Sequence, residues 1–416
     1  MIRDILLIQK RELENKSGEV FIERIVDYKK FNNDLIKIIT GPRRAGKSFL
    51  GIHVLNKIGN FGYVNFDDEN LIELKDYNEI ITMVNSIYNN PKYLLFDEIQ
   101  NLPKWELFVN RLKRQGFNLI ITGSNSNLLS KELSTHLTGR YLSINVFPFS
   151  FKEYLKLETK ELTDNEIQEK LFMYLTFGGY PEPAIKKIDY KEYLNTLFNS
   201  IVYKDIVKRY NIRFISGMDN LASYLISNIA KEFSYNTLAQ ITKCKSVHTI
   251  EKYLSYLEEA FIFFKINRFS FKLKEQICSC KKIYCIDNGF IYAKAFKLSM
   301  DIGRLYENIV AINLKIDELN DKYKIYYWKN LQQEEVDFII KHGIEIIQLV
   351  QVCYDITSIK TKEREERALI KASQELKCDN LLIITENYEN EEDFEWFNIK
   401  RKIKFIPLWK WLLNKK

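Results

Sequence analysis

The most constraining feature of the chain is an eight-residue stretch, Gly41–Ser48, which follows directly on the apolar run Leu35–Thr40. The stretch reads Gly-Pro-Arg-Arg-Ala-Gly-Lys-Ser and fits the pattern G-x-x-x-x-G-K-[ST]. A strand that leads through a glycine-containing turn into a helix presents backbone N–H groups and the positive end of the helix dipole to a phosphate. The sequence therefore predicts a phosphate-binding loop followed by a helix that begins near Lys47.

The residue types in this stretch indicate a nucleoside triphosphate and a magnesium ion as its ligands. Lys47 is expected to reach the terminal phosphates and to take part in catalysis, and the hydroxyl of Ser48 is expected to hold Mg²⁺. No guanine-reading N-K-x-D motif occurs at a suitable place, so the expected nucleotide is ATP. The residues expected to contact ATP are Gly41, Pro42, Arg43, Arg44, Ala45, Gly46, Lys47, Ser48 and Phe49.

A second signal lies downstream, where the short apolar run Pro91–Phe96 ends in the two acids Asp97 and Glu98. A buried parallel strand with carboxylates at its C-terminal edge has this pattern. Asp97 is expected to complete the magnesium site together with Ser48, and Glu98 is expected to polarise a water for attack on the γ-phosphate. An acidic turn after a core strand is the alternative, and the upstream loop argues against it.

Five apolar runs alternate with helical stretches in the first 150 residues, which indicates βαβ units and an α/β fold with a parallel sheet. The fourth run ends in small polar residues, and we expect Thr122, Ser124 or Asn125 to sense hydrolysis through a hydrogen bond to the attacking water. A simple polar turn is the alternative. The five runs are Ile36–Thr40, Phe61–Phe66, Tyr93–Phe96, Asn118–Thr122 and Leu142–Val146.

An arginine follows a glycine just before the fifth run, in the stretch Leu137–Tyr141. Arg140 is a candidate for the cation that stabilises the transition state, either within its own chain or across a subunit boundary. The alternative is an ordinary surface pair with a carboxylate. Because an arginine that works across a boundary would imply assembly, the oligomeric state stays open.

Composition supports several packed cores and excludes other classes of protein. The 416 residues are 46% hydrophobic, and no apolar run approaches the length that spans a membrane. The N-terminal residues lack the apolar segment of a signal peptide, so we expect a cytoplasmic protein. The six cysteines show no disulfide framework and only weak zinc spacing. The net charge of +7 permits nucleic-acid binding without requiring it.

The chain resembles the prokaryotic AAA-type ATPases, often called archaeal-type ATPases, that carry a nuclease-like DUF4143 region at the C-terminus. The resemblance rests on GPRRAGKS, LLFDEIQN, IITGSNSNLLSKELSTHLTGRY, FPFSFKEYL and Phe177–Glu182, and it covers essentially the whole chain. It implies that Gly41–Ser48 is the Walker A motif, that Asp97 and Glu98 are the Walker B pair, and that Ser124 or Asn125 belongs to the sensor strand. Arg140 matches the recurrent Gly-Arg of the family.

A helix-turn-helix is predicted between Ser234 and Glu259. Ser246 caps a second helix whose apolar residues fall on one face, and the opposite face carries His248, Thr249 and Lys252, the positions that would meet a DNA groove. Later apolar runs supply the wing of a winged helix. DNA and a protein are both open as partners, since winged helices serve both roles.

The last third resembles the PD-(D/E)xK nuclease fold, in which acids gather magnesium beside a lysine. The matching acids are Glu307 and Asp337, and Gln351 and Cys353 stand where an acid or glutamine and the lysine are expected. Because a cysteine cannot supply the fixed cation, we expect this domain to be degenerate unless a basic group such as Lys329 or Lys341 enters the site.

The sequence thus predicts an α/β protein with a P-loop NTPase core of the AAA type, a winged-helix domain and a nuclease-like C-terminal domain. The predicted segments are an ATPase core over 1–155, a lid-like helical segment over 156–215, the winged helix-turn-helix over 216–295 and the nuclease-like domain over 296–416. The predicted function is Mg²⁺-dependent binding and hydrolysis of ATP, acting on or regulated by nucleic acid. The alternatives are an ATP-gated DNA nuclease and a nucleotide-switched regulator that binds DNA or a protein.

Overall fold

The computed structural model describes residues 2–74, 76–125, 137, 139–296, 301–397 and 399–414. The chain divides into two compact units. The first unit comprises residues 1–149 and the short segment 259–261, and the second comprises residues 150–258 and 262–416. Most of the quoted sequence between Asn125 and Gly139 lies outside the described residues.

The first unit contains a parallel sheet, as the alternation of apolar runs predicts. Its described strands have the spatial order β2-β3-β4-β1-β5, and every pairing is parallel. β1 is buried throughout because helices cover both faces of such a sheet, and this explains why its residues are mostly apolar. The strands are β1 (Ile36–Thr40), β2 (Phe61–Asn65), β3 (Tyr93–Asp97), β4 (Asn118–Gly123) and β5 (Tyr141–Asn145). The predicted α/β fold with a parallel sheet is confirmed.

The helices of the first unit connect these strands and pack on them. Lysine and glutamine side chains of the first helix also reach backbone carbonyls of the unit, as in the bond from Gln9 Nε2 to Asn65 O at 2.9 Å. The α-helices are α1 (Ile2–Ser17), α2 (Lys47–Ile58), α3 (Glu69–Ile72), α4 (Asn78–Ile87) and α5 (Trp105–Arg114), and short 3₁₀ turns occupy Tyr28–Phe31 and Ile99–Asn101.

Strand order places the two sequence motifs at one edge of the sheet. β4 lies between β1, which leads into Gly41–Ser48, and β3, which ends at Asp97. The carboxyl ends of parallel strands meet at the same edge, and ligands of open α/β sheets bind there. Residues that follow β4 therefore stand between the loop and the acids.

The second unit is built on a mixed sheet of nine described strands in the order β13-β14-β12-β11-β10-β9-β7-β8-β6. The strands are β6 (Glu232–Phe233), β7 (Phe263–Arg268), β8 (Lys281–Cys285), β9 (Lys324–Lys329), β10 (Glu335–His342), β11 (Glu345–Val352), β12 (Leu381–Thr385), β13 (Asn390–Trp396) and β14 (Ile399–Pro407). β10 and β11 form a hairpin, in which they pair antiparallel.

The helices of the second unit precede and cover this sheet, and a π-helical turn at Ile201–Lys208 follows one of them. The α-helices are α6 (Phe151–Leu155), α7 (Asp164–Phe177), α8 (Pro181–Lys186), α9 (Tyr190–Ser200), α10 (Ile215–Ser227), α11 (Tyr235–Thr242), α12 (Val247–Glu259), α13 (Leu273–Cys278), α14 (Asn288–Lys294), α15 (Ile302–Leu319), α16 (Ile359–Leu376) and α17 (Leu408–Asn414). No helix within the described ranges is both long and apolar enough to cross a membrane.

The predicted division at residue 295 runs through one continuous sheet. β7, from the predicted winged helix, pairs in parallel with β9, from the predicted nuclease-like domain, through Asn267 opposite Tyr326. The lid-like segment 156–215 also belongs to this second unit. The structure thus groups three of the four predicted segments in one unit, and hydrogen bonds between strands join the last two of them into one sheet.

The quoted stretch Phe177–Glu182 wraps around a buried carboxylate. Asp287 accepts bonds from the N–H groups of Gly179 and Gly289, both at 2.8 Å. Gly178 has φ of +77°, and a Cβ there would lie 1.8 Å from Oδ1 of Asp287. Only glycine fits between this turn and the carboxylate, so the motif ties the end of α7 to the start of α14.

Candidate nucleotide site

The loop that precedes α2 requires glycine at its first position. Gly41 has φ of +147°, and a Cβ at this residue would lie 1.8 Å from the carbonyl oxygen of Val146. Gly46, the residue before α2, has φ of +95°. Both conformations are ones that residues with a side chain rarely adopt. The loop can therefore turn tightly enough to direct its N–H groups toward an anion at the start of α2.

Lys47 is held inside the loop. Its side chain is only 4% exposed, and Nζ donates to the carbonyl oxygen of Pro42 at 2.8 Å. The same nitrogen lies 3.9 Å from Oε1 of Glu98. The lysine thus stands between the loop and the acid, where a γ-phosphate would need a cation.

Asp97 is surrounded by three hydroxyl groups. Ser48 donates to its Oδ1 at 2.7 Å, Tyr63 donates to Oδ2 at 3.2 Å, and Thr122 donates to Oδ1. Burial raises the pKa of Asp97, and the neighbouring charge of Glu98 raises it further. Ser48 and Asp97, the two residues expected to hold magnesium, therefore lie in direct contact, and both offer the oxygen ligands that Mg²⁺ prefers.

Glu98 is fixed by polar contacts on both sides of its carboxylate. Its backbone is left-handed, with φ of +49°. Ser124 donates to Oε2 at 3.0 Å, and the side-chain amide of Gln100 donates to the same oxygen. Burial alone would raise the pKa of Glu98, but Lys47, Gln100 and Ser124 outweigh burial and hold the pKa below its ordinary value. The carboxylate is therefore ionised and able to accept a proton or orient a water at neutral pH.

The predicted sensor residues lie at the edge of the sheet where the prediction puts them. Thr122 accepts a bond from the backbone N–H of Glu98 at 3.1 Å while it donates to Asp97. Ser124 contacts Glu98 directly, and Asn125 is 9% exposed. Whether any of them senses hydrolysis stays a prediction.

Arg140 requires a correction, because it does not lie near this site. Its carbonyl accepts a bond from the N–H of Ile36, the first residue of β1, whereas the loop follows the last residue of that strand. The strand spans about 13 Å between these ends. The guanidinium donates to Oδ1 of Asn110 at 2.9 Å on the exposed surface. Arg140 cannot act on a nucleotide bound by its own chain, and action across a subunit boundary stays a prediction.

Sequence reasoning missed an arginine that supports the loop from outside the motif. Arg24 is 6% exposed, its Nη1 donates to the carbonyl oxygen of Ala45 at 2.7 Å, and its Nη2 donates to that of Phe147. The guanidinium also lies 5.1 Å from the ring of Phe149. Tyr63 and Gln100 were missed as well. These residues contact the site through folding of distant segments, so no local pattern could have identified them.

The remaining residues of the predicted nucleotide set form the outer part of the loop. Arg43 lies 3.9 Å from Asp67 in a partly exposed ion pair, and Arg44 is exposed with φ of +64°. Pro42 supplies the carbonyl that Lys47 contacts, and Phe49 is half-buried in the first turn of α2. The structure brings the predicted residues of the loop and both acids together at one edge of the sheet.

The predicted helix-turn-helix consists of α11 and α12. Ile250, Leu254 and Leu257 of α12 are fully buried, as the pattern predicts. His248 and Lys252 are exposed, but Glu251 shares their face and lies 3.7 Å from His248. The exposed face therefore has mixed charge, and binding of DNA there stays a prediction.

The residues that match the nuclease pattern also meet in the second unit. Glu307 of α15 and Asp337 of β10 approach one another, and Gln351 of β11 accepts a bond from the N–H of Asp337 at 3.1 Å. An unpredicted lysine, Lys282 of β8, donates to both acids. Cys353 is buried, which raises its pKa to about 12 and keeps it a neutral thiol, and a thiol has no positively charged form that could replace the lysine.

Three known families match successive parts of the chain. An AAA domain matches residues 33–155, a domain of unknown function, DUF8612, matches residues 168–300, and a second one, DUF4143, matches residues 302–411. An uncharacterized protein of Methanocaldococcus jannaschii is 37% identical, with 100% of this chain and 97% of that protein aligned. An uncharacterized protein of Haemophilus influenzae is 32% identical, with 90% and 92% aligned.

Among solved structures, the chain is similar to a Walker-type ATPase of Pyrococcus abyssi. The TM-score is 0.44 at 15% identity, and the match covers 68% of this chain and 95% of the other. A likeness this weak carries no argument about activity.

Proposed function

Because the chain belongs to the AAA-type P-loop ATPases that carry a DUF4143 domain toward the C-terminus, we propose that it hydrolyses ATP in a Mg²⁺-dependent reaction at the loop Gly41–Ser48. The observation that carries the proposal is the position of the Glu98 carboxylate, which is held by Ser124 at 3.0 Å and lies 3.9 Å from Lys47. A protein that only binds nucleotide needs the lysine but has no use for a fixed base beside it.

The loop and Lys47 hold the phosphates in this proposal. Lys47 exchanges its bond to the carbonyl of Pro42 for the terminal phosphate oxygens, and the N–H groups at the start of α2 take the remaining oxygens. The residues fit a bound Mg²⁺, because Ser48 Oγ and Asp97 Oδ1 are hard oxygen donors only 2.7 Å apart. When bound, the ion neutralises charge on the phosphate oxygens.

Glu98 acts on the water in this proposal. Its carboxylate accepts a hydrogen bond from water and aligns the oxygen for in-line attack on the γ-phosphorus. The bond between the γ-phosphorus and the leaving ADP oxygen breaks, and the proton of the attacking water passes to Glu98. Ser124 and Gln100 keep the carboxylate in place, so Glu98 loses no rotamer freedom at the moment of reaction. The products are ADP and inorganic phosphate.

Replacing Glu98 with glutamine tests the proposal. Glu98→Gln keeps an oxygen for the bonds from Ser124 and Gln100, so ATP binding should persist. Turnover should fall by about 10²- to 10⁴-fold, because the general base is lost. Steady-state phosphate release and binding of a fluorescent ATP analogue measure the two quantities. The matched control is Glu79→Gln on α4, an exposed glutamate away from the site that should leave both quantities unchanged. Undiminished hydrolysis in Glu98→Gln would refute the proposal.

The proposed substrate is ATP rather than GTP, on the ground that the chain has no guanine-reading motif at a suitable place. Turnover of both nucleotides under identical conditions checks this preference. Measuring the same rates with and without DNA separates an enzyme that works on nucleic acid from a slow nucleotide-switched regulator.

A further inference from the structure

A buried lysine of the second unit lies among three carboxylates, remote in sequence from the nucleotide-binding motifs. Lys282 of β8 is 2% exposed. Its Nζ lies 2.8 Å from Oε1 of Glu307, 2.5 Å from Oε1 of Glu335 and 3.0 Å from Oδ1 of Asp337. An ammonium group has three N–H donors and no acceptor, so three carboxylate oxygens satisfy it completely.

The carboxylate oxygens of this cluster have further partners. Tyr284, on the same strand as the lysine, donates its hydroxyl to Oε1 of Glu307 at 2.7 Å. The second oxygen of Asp337 accepts the N–H of Val352 at 3.0 Å. The cluster therefore joins β8 to α15 and β10, three elements that are separate in sequence.

The residues present do not fit the divalent ion that the nuclease resemblance implies. Both matching acids already bind the ammonium of Lys282. Gln351, at the third matching position, uses its oxygen for the N–H of Asp337 and its amide for Glu365 at 2.7 Å. Within the described parts of the chain, no group of three or more His, Cys, Asp or Glu side chains is arranged to hold a metal ion.

The two lysines suggested by the sequence as replacements do not act on the matching acids. Lys341 donates to the carbonyl oxygen of Gly343 at 2.7 Å on the exposed hairpin. Lys329 pairs with Glu232 at 2.5 Å. It also lies 3.8 Å from Oε2 of Glu335, whereas Lys282 contacts Oε1 of the same residue. Lys282 is the cation that contacts Glu307 and Asp337 together.

We propose that Lys282 is a built-in cation whose ammonium takes the place of a divalent metal ion between Glu307, Glu335 and Asp337. The cluster is then a metal-independent element that holds the sheet of the second unit together, and the unit does not cleave phosphodiesters. The single ammonium does not balance the charge of three carboxylates. The pKa of Glu307 agrees with this, because burial and the charge of Asp337 raise it to about 7. This inference goes beyond the proposed ATP hydrolysis and does not depend on it.

Replacing the lysine with an uncharged side chain of similar length tests the proposal in the full-length, nucleotide-free chain. In Lys282→Met, the carboxylates lose their counter-ion, so without metal the second unit should melt about 6–12 °C lower than in the wild type. The three carboxylates, freed of the ammonium, should then accept Mn²⁺, because the flexible methionine side chain can turn aside and carries no charge that repels the ion. Titration followed by electron paramagnetic resonance should detect one more bound Mn²⁺ in this variant than in the wild type, and Mn²⁺ should restore part of the lost melting temperature.

The matched control is Lys329→Met, which removes a neighbouring lysine of β9 that pairs with Glu232 at 2.5 Å and lies at the edge of the cluster, 3.8 Å from Glu335. It should bind no additional Mn²⁺. Binding elsewhere, including at the nucleotide loop, is common to all variants and cancels in the comparison. Plasmid and single-stranded DNA incubated with the wild type and Mn²⁺ or Mg²⁺ should stay intact.

Two results would overturn the proposal. One is Mn²⁺ binding or DNA cleavage by the wild type that Asp337→Asn abolishes, since this would show a working metal site beside the lysine. The other is a folded Lys282→Met that gains no Mn²⁺ site. If Lys282→Met does not fold, the double variant Lys282→Met with Asp337→Asn tests the ion-pair role of the lysine instead. Removing one carboxylate together with its cation should restore folding, and a double variant that also stays unfolded contradicts the ion-pair role.

Discussion

Replacing Arg24 with methionine should weaken nucleotide binding although this residue lies outside every nucleotide motif. The variant removes two charged hydrogen bonds to buried carbonyls, those of Ala45 and Phe147. Hydrogen bonds that involve a charged group contribute about 1.5–3 kcal/mol each. The two hydrogen bonds together therefore contribute about 3–6 kcal/mol. The bond to Ala45 accounts for about half of this free energy, and it stabilises the loop itself. Since 1.4 kcal/mol corresponds to a tenfold change, the affinity for ATP should fall by about ten- to a hundredfold.

Titration with a fluorescent ATP analogue, together with thermal unfolding of the same samples, measures both parts of this effect. Arg24→Lys should fall between the wild type and Arg24→Met, because one ammonium cannot reproduce the fork of a guanidinium. Arg114→Met is the matched control, since it removes an exposed arginine from the last turn of α5, which precedes the start of β4 at the opposite edge of the same sheet. A variant Arg24→Met that melts lower but binds ATP as tightly as the wild type would refute the reasoning, because Arg24 would then stabilise only the fold.

Two further predictions concern the second unit. Gly178→Ala should lower the melting temperature of this unit by about 6 °C or more, because the new Cβ would lie 1.8 Å from Asp287 Oδ1 and displace a carboxylate with two backbone hydrogen bonds. The control is Gly343→Ala, which is also at positive φ but has open space around its Cβ. Equal effects of the two variants would contradict the explanation. Burial raises the pKa of Asp287 to about 7, against about 4 in an unfolded chain. Above pH 5 the folded state therefore binds more protons than the unfolded state, and the contribution of Asp287 to the free energy of unfolding falls as the pH rises toward 8. Burial gives Glu307 and Glu366 a pKa of about 7 as well, so the second unit should melt at a higher temperature at pH 5.5 than at pH 8; a melting temperature that rises over this range would show the sign to be wrong.

Much of the first unit could be predicted because its signals are local. Mostly apolar runs mark the parallel strands, and β1 agrees with its predicted run residue for residue, since a strand covered on both faces needs mainly apolar residues. The loop and the acids at the end of β3 follow their strands directly. Strand order then brings them together without any further information.

The second unit was harder to predict because its contacts are distant in sequence. Lys282 contacts acids that lie 25 and 55 residues further along the chain, and nothing around it distinguishes it from a surface lysine. β13 carries charged residues and no continuous apolar run to mark it as a strand, although it pairs with β14 along its whole length. The charged run of α16 has the pattern of a solvated helix face, yet Glu365 and Glu366 are buried because each has a cationic partner.

The two acidic sites differ in the donors that surround their carboxylates, and this difference decides what each can bind. Asp97 accepts bonds from hydroxyl groups, and a hydroxyl oxygen also has lone pairs. Ser48 can therefore turn its hydrogen away and become a ligand of Mg²⁺ beside Asp97. Asp337 accepts bonds from an ammonium group and a backbone N–H, which have donors only. No rotation converts Lys282 into a metal ligand, and its charge repels a divalent ion. We therefore expect titration with Mn²⁺ in the presence of ATP to detect metal at the first site alone, in a form that Asp97→Asn abolishes and Asp337→Asn leaves unchanged.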